Sequence, residues 1–218
     1  MSTSDTKATF LRAVLNARAC SWPFRHWLLA DVLAPDVASG LKHWPHPAPE
    51  GIAYALGRRE ENNATRRYVD AETIAAFAPA RSLAEALQDR ETVSALEATC
   101  DIDLAGTYLR IEYAQDREGF WLEPHTDIGV KAFTMFVYLT EAGQREDWGT
   151  DIYADPDTHA KRLAFTDKAA MIFVPAHDTW HGFEHRPMNG TRRSLIVNYV
   201  TDDWRNRHEL AYPDAPIG

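Results

Sequence analysis

Hydrophobic and polar positions alternate through the second half of the chain. From Thr107 to Ala114, Leu109, Ile111 and Tyr113 fall on one side, and Tyr108, Arg110 and Glu112 on the other. A period of two marks a half-buried strand. Lys131 to Thr140 is apolar on both faces, as a central strand would be. Thr191 to Val200 alternates again: Arg192, Ser194, Ile196 and Asn198 form a mixed set, while Leu195, Val197 and Tyr199 follow Arg193 in an apolar one. Shorter runs read as strands at Phe120-Trp121-Leu122, Thr150-Asp151-Ile152-Tyr153, Leu163-Ala164-Phe165, Ala169 to Val174 and Trp180 to Glu184. About eight short strands separated by turn signals predict a sandwich, jelly roll or barrel.

The first half carries the other period. Phe10, Leu11, Val14 and Leu15 recur at helical spacing, so a helix is expected from Phe10 to Ala19 behind a frayed polar start. Phe24 to Leu29 reads as a strand, and Pro35 opens a helix running to about His43. A stiff loop, Trp44 to Pro49, follows; its His46, with His43, reads as solvated rather than as part of a metal clip. Residues 57–69 are polar and carry both signs, the pattern of a solvated loop, with a lid using Arg66 and Arg67 as the functional alternative. Two short helices then follow, with Leu83, Ala86 and Leu87 on one face, and Val93 and Leu96 on another. The expectation is one domain over residues 1–218, with helical support at about 10–100 and a β core at about 105–201.

Composition narrows the classes. The chain has 218 residues, 45% hydrophobic and 25% charged, with a net charge of -9. That charge argues against binding a nucleic-acid backbone, which draws on excess Lys and Arg. No apolar run is long enough to span a membrane, and the first residues lack a signal pattern, so a cytoplasmic location is expected. Cys20 and Cys100 show no metal spacing and read as two free thiols.

The candidate chemistry starts at Glu123-Pro124-His125-Thr126-Asp127. In extended backbone, His125 and Asp127 face the same side, and together they are two members of a 2-His-1-carboxylate metal site. His177, His181 and His185 compete for the third place. His181 is the best placed, just inside the strand after the Val174-Pro175 turn. Arg192, on the mixed face of the last strand, suits bidentate capture of a carboxylate.

In order and spacing these features resemble the Fe(II)- and 2-oxoglutarate-dependent dioxygenases, in particular the prolyl-hydroxylase-like branch. The resemblance runs over about residues 105–201 through His125-x-Asp127, Tyr138-Leu139, Gly149-Thr150, Ile172-Phe173-Val174-Pro175, His181 and Thr191-Arg192-x-Ser194; Pro23 to Trp27 and Val32 to Pro35 look like the family's lead-in. It implies a cupin-like double-stranded β-helix, or jelly roll. It also implies Fe(II) on His125, Asp127 and His181, with 2-oxoglutarate and O2 as cosubstrates and ascorbate as an optional reductant. Arg192 would hold the distal carboxylate of 2-oxoglutarate, with a hydrogen bond from Ser194. The resemblance puts Val137 on the cleft face, where protein hydroxylases often carry tyrosine, and turns Tyr138 away. Tyr113 or Thr134 then stand as partners of Arg192.

Two residues refine the expected activity. Asp127 occupies the position that related halogenases leave to a small residue, which favours hydroxylation. Asn198 stands where the nucleic-acid demethylase branch would show a second arginine, which counts against a nucleic-acid substrate. The expectation is therefore hydroxylation of an unactivated C–H of a small molecule, an amino acid or biosynthetic intermediate, with release of succinate and CO2. A peptide or protein substrate is the alternative within the chemistry. A non-catalytic jelly-roll that binds a metal or ligand is the alternative outside it.

Overall fold

A computed structural model describes residues 3–48, 50–52, 54 and 65–218. Five helices and eleven strands follow in order: α1 (Thr3–Leu15), β1 (Arg18–Cys20), β2 (His26–Leu29), α2 (Pro35–Lys42), β3 (Arg66–Tyr68), α3 (Ala71–Ala76), α4 (Ala78–Gln88), α5 (Arg90–Cys100), β4 (Tyr108–Asp116), β5 (Leu122–His125), β6 (Lys131–Leu139), β7 (Asp151–Asp155), β8 (Thr158–Arg162), β9 (Ala170–Phe173), β10 (His181–Phe183) and β11 (Arg192–Val200). The strands form two antiparallel sheets, a major one ordered β1-β2-β9-β6-β11-β4-β3 and a minor one ordered β5-β10-β7-β8. This is the expected jelly-roll architecture.

Alternation along the major-sheet strands sorts their side chains between two environments. Leu109, Ile111, Tyr113, Phe133, Met135, Val137, Ile172, Leu195, Val197 and Tyr199 join one core with residues of the helices. Tyr138, Met171 and Phe173 point the other way, into a second core shared with Ile152 and Phe183 of the minor sheet. The period of two therefore separates helix support from cleft lining within each strand. The N-terminal helices hold the first core: Asp70 caps α3 by accepting from the Thr73 backbone amide at 2.8 Å, and Asp89 caps α5 through Glu91 at 3.0 Å.

Several boundaries differ from the sequence reading. The first helix runs over Thr3–Leu15 rather than Phe10 to Ala19, and its buried face begins at Thr6, a polar residue ahead of the apolar run. Leu163-Ala164-Phe165 is not a strand. The strand before it is the polar β8, which pairs only with β7 at the edge of the minor sheet. The polar stretch 57–69 is in part a strand: β3 pairs with β4, Arg66 opposite Ala114. Its residues 57–64, including most of the proposed lid, lie outside the described residues. Cys20 and Cys100 are free thiols, and Cys100 is buried.

One glycine governs how closely the minor sheet assembles at its functional end. A Cβ on Gly182 would stand 2.7 Å from the Leu122 carbonyl oxygen. Only glycine lets β10 lie this close to β5, and that approach sets His181 directly opposite His125. Gly182→Ala is expected to force the two strands apart at a cost of about 1–3 kcal/mol. Thermal unfolding and Co(II) uptake should both be weakened. Unchanged values for both would mean that the strand spacing does not control the histidine pair.

Candidate metal and cosubstrate site

His125 ends β5, and His181 begins β10 as its cross-strand partner. Their ring centroids lie 4.3 Å apart. His125 Nδ1 is 2.8 Å from the Glu123 carbonyl oxygen, and His181 Nδ1 is 2.9 Å from that of Thr179. A carbonyl only accepts, so each Nδ1 carries a proton, and Nε2 is the ring atom that would ligate a metal. Burial, reinforced by the neighbouring His125, pushes the His181 imidazole down to about 3, so it stays neutral and ready to ligate.

Asp127 completes the group from the loop after β5. One ligand atom from each of His125, Asp127 and His181 lies within 4.8 Å of the others. Asp127 Oδ1 accepts from Lys131 Nζ at 2.5 Å, and Oδ2 accepts from Thr134 Oγ1 at 2.6 Å. Burial alone would raise this carboxyl, but Lys131, His181 and the two hydrogen bonds hold it far below the usual carboxylate range. Two imidazoles and one carboxylate, with ligand atoms this close together, fit an octahedral divalent ion such as Fe(II), with the other face left for small ligands.

The triad opens onto a cavity of about 540 Å³, whose walls include Arg192, Ser194, Arg66, Asp116, Phe136 and Ile196. Arg192 enters β11 directly opposite Asp116 of β4, and Nη1 donates to Asp116 Oδ2 at 2.7 Å. Nε donates to the Trp148 carbonyl at 2.7 Å. Arg66 donates through Nη1 to the other Asp116 oxygen at 2.6 Å and through Nε to Glu112 at 2.8 Å. Among the described residues Arg66 thus has two carboxylate partners and Arg192 one, so Arg192 retains the capacity to take another carboxylate.

Several expectations about the cleft residues need correction. Tyr113 is not in the cavity: it shares the helix face with Leu109 and Ile111, its ring 4.9 Å from that of Trp44. Thr134 does face the cleft, but its hydroxyl is committed to Asp127 rather than to a carboxylate beside Arg192. Val137 lies in the helix-side core, and Tyr138 lies in the cleft-side core, its ring 5.8 Å from the Arg192 guanidinium. Arg66 is buried in the cavity wall, whereas Arg67 is exposed.

The remaining candidates separate cleanly. Glu123 lines the cavity, and the neighbouring Trp121 donates its indole N–H to the Tyr54 carbonyl at 2.9 Å. His43, His46, His177 and His185 are exposed. Among the described residues a second cluster, Asp151, His159 and Glu184, has metal-ligand composition. Both oxygens of Asp151 already accept from arginines, Arg162 and Arg186, which makes it the centre of an ion-pair network. Sequence reading missed Asp116, Glu112 and Lys131. The first two lay in plain view, since Glu112, Ala114 and Asp116 continue the polar alternation of β4.

No protein-family model and no curated protein matches the chain. Solved structures do. A prolyl-4-hydroxylase from Pseudomonas putida superposes with a TM-score of 0.56 at 14% identity, over 90% of this chain and 94% of that one. The chain has the fold of the prolyl hydroxylases. Prolyl 4-hydroxylase from Phytophthora capsici matches at a TM-score of 0.57 and 13% identity, over 93% of this chain and 66% of that one. A prolyl hydroxylase from Trichoplax adhaerens, solved with a peptide fragment of hypoxia inducible factor, matches at 0.51 and 10% identity, over 92% and 91%. Among the described residues, no helix of this prolyl-hydroxylase fold is long and apolar enough to cross a membrane.

Proposed function

We propose that the chain is an Fe(II)- and 2-oxoglutarate-dependent dioxygenase that hydroxylates an unactivated C–H of a small molecule, releasing succinate and CO2. One observation carries this reading: the His125–Asp127–His181 group and Arg192, with its open carboxylate capacity, line the same cavity. His125, Asp127 and His181 would hold the ion, and Arg192 the distal carboxylate of 2-oxoglutarate, with Ser194 beside it. When bound, iron and 2-oxoglutarate supply the activation of O2 that the side chains lack.

The protein's own contribution is placement. Backbone carbonyls fix both imidazole tautomers, and Lys131 and Thr134 hold Asp127 ionised and oriented. Phe120, Leu122, Phe136 and Ile196 line the cavity with apolar surface that suits a C–H target, and Ile128 at its rim is 58% exposed. A volume of about 540 Å³ lies in the usual range of small-molecule sites, which favours that substrate class. The peptide bound to the Trichoplax protein keeps a peptide substrate as the second reading.

Purified protein with Fe(II), ascorbate and 2-oxoglutarate should release succinate when offered a panel of free amino acids and small acids, and mass spectrometry should find a +16 product. A +16 product on peptides alone would overturn the small-molecule assignment. Iron-independent behaviour with no succinate under any condition would leave a non-catalytic binding protein as the better reading.

A further inference from the structure

Charged and polar residues on the cleft face of the major sheet form one branched hydrogen-bonded chain, and its branch point is Arg110. This residue on β4 is 0% exposed, with the Tyr68 and Trp204 rings 4.9 and 4.8 Å from its guanidinium carbon. Nε donates to Glu209 at 2.6 Å, Nη1 to Asn198 Oδ1 at 3.1 Å, and Nη2 to Glu112 Oε2 at 2.6 Å.

The Asn198 branch reaches the metal group. Asn198 sits opposite Arg110 on one side and Thr134 on the other, by strand register alone. Its Nδ2 donates to Thr134 Oγ1 at 2.9 Å, and Thr134 donates to Asp127 at 2.6 Å. The direction of every bond follows from the first. A guanidinium has no acceptor, so Asn198 must turn its oxygen to Arg110 and its amide to Thr134. Thr134 then accepts with its oxygen, and its single proton is left for Asp127. The Glu112 branch runs the other way. Glu112 Oε1 accepts from Arg66 at 2.8 Å, Arg66 donates to Asp116 at 2.6 Å, and Asp116 accepts from Arg192 at 2.7 Å.

We propose that Arg110 is a positioning residue that sets both the iron ligand Asp127 and the cosubstrate arginine Arg192, through two separable branches. The proposal rests on the reading of this cavity as an iron and 2-oxoglutarate site. Arg110 touches neither group; it acts through the acceptors it orients. Lysine at this position would keep the charge but not the planar fork that serves three acceptors at once.

The test uses two binding measurements on the full chain: Co(II) alone, followed by its d–d absorption, and 2-oxoglutarate added at saturating Co(II). Asn198→Ala should weaken Co(II) binding about tenfold and leave 2-oxoglutarate binding within about twofold. Glu112→Gln should show the reverse pattern. Arg110→Lys should weaken both; if it does not fold, the two branch variants carry the test alone. Thermal midpoints taken in parallel separate placement from stability. The proposal is overturned if both affinities fall together in step with the midpoint in each variant, or if Asn198→Ala binds Co(II) as the parent does. A parent protein that binds neither probe would instead sink the reading of the site, and this inference with it.

Discussion

Replacing His181 by alanine is expected to lower Fe(II)-dependent succinate release by at least about 10²-fold, beyond the loss typical of residues that only orient a ligand. His181 is 3% exposed, and its Nε2 is one of three donors that face a common point. The two that remain, His125 and Asp127, cannot hold an ion on one face, and no nearby histidine substitutes, since His177 and His185 are exposed. Metal content after dialysis should fall with the activity; retained iron with retained turnover would remove His181 from the ligand set. The variant also has an acid signature in the metal-free state. Folded His181 resists protonation down to about 3, whereas an unfolded chain takes up that proton below about 6.5. Stability therefore declines as pH falls from about 6.5 toward 3. His181→Ala lacks this uptake, so its urea midpoint should drop less than the parent's on going from about pH 7 to about pH 4.5.

Arg192→Ala should raise the KM for 2-oxoglutarate roughly a hundredfold, the scale of losing about 2–4 kcal/mol from a buried charge-assisted pair. The KM for the substrate should change far less. The asymmetry has a structural reason. Asp116 loses one of its two guanidinium partners but keeps Arg66, so the wall is not left with a bare carboxylate. The ligand's carboxylate, by contrast, loses the arginine in the cavity that has only one carboxylate partner of its own. Arg192→Lys should recover part of the affinity, because a point charge replaces the fork. If Arg192→Ala left the 2-oxoglutarate requirement untouched, the cosubstrate would lie elsewhere in the cavity. In that case Arg66, the other arginine of the cavity wall, would be the candidate to hold it.

The large strands of the β core were legible in the sequence because their periodicity is long and regular. β4, β6, β9 and β11 fall within a residue or two of the expected bounds. That His125, Asp127, His181 and Arg192 share one cavity was legible for a different reason: they are few, polar and spaced by strands that were themselves visible. What period two could not supply was phase where both faces are apolar. Phe136-Val137-Tyr138-Leu139 offers no polar face to fix direction, so nothing in the pattern opposes the resemblance that turns Tyr138 away, and Tyr138 points into the cleft-side core. Tyr113 erred in the opposite way, since its own alternation with Leu109 and Ile111 already put it on the helix face. Arg66 was hidden by its surroundings. A buried edge-strand arginine in a polar stretch looks like a solvated one, and only its contacts with Glu112 and Asp116 distinguish it. β8 was missed because an edge strand needs no apolar face.

The two faces of β11 carry a consequence for how this protein can be altered. Residues 195, 197 and 199 are packed under the helices, while 192, 194, 196 and 198 look onto the cavity or its hydrogen-bond chain. Neighbouring codons therefore answer to different demands. A combinatorial library confined to the odd positions would explore thermal tolerance at constant chemistry. One confined to position 196, the apolar cavity-facing member of the even set, would explore the range of accepted molecules at nearly constant robustness.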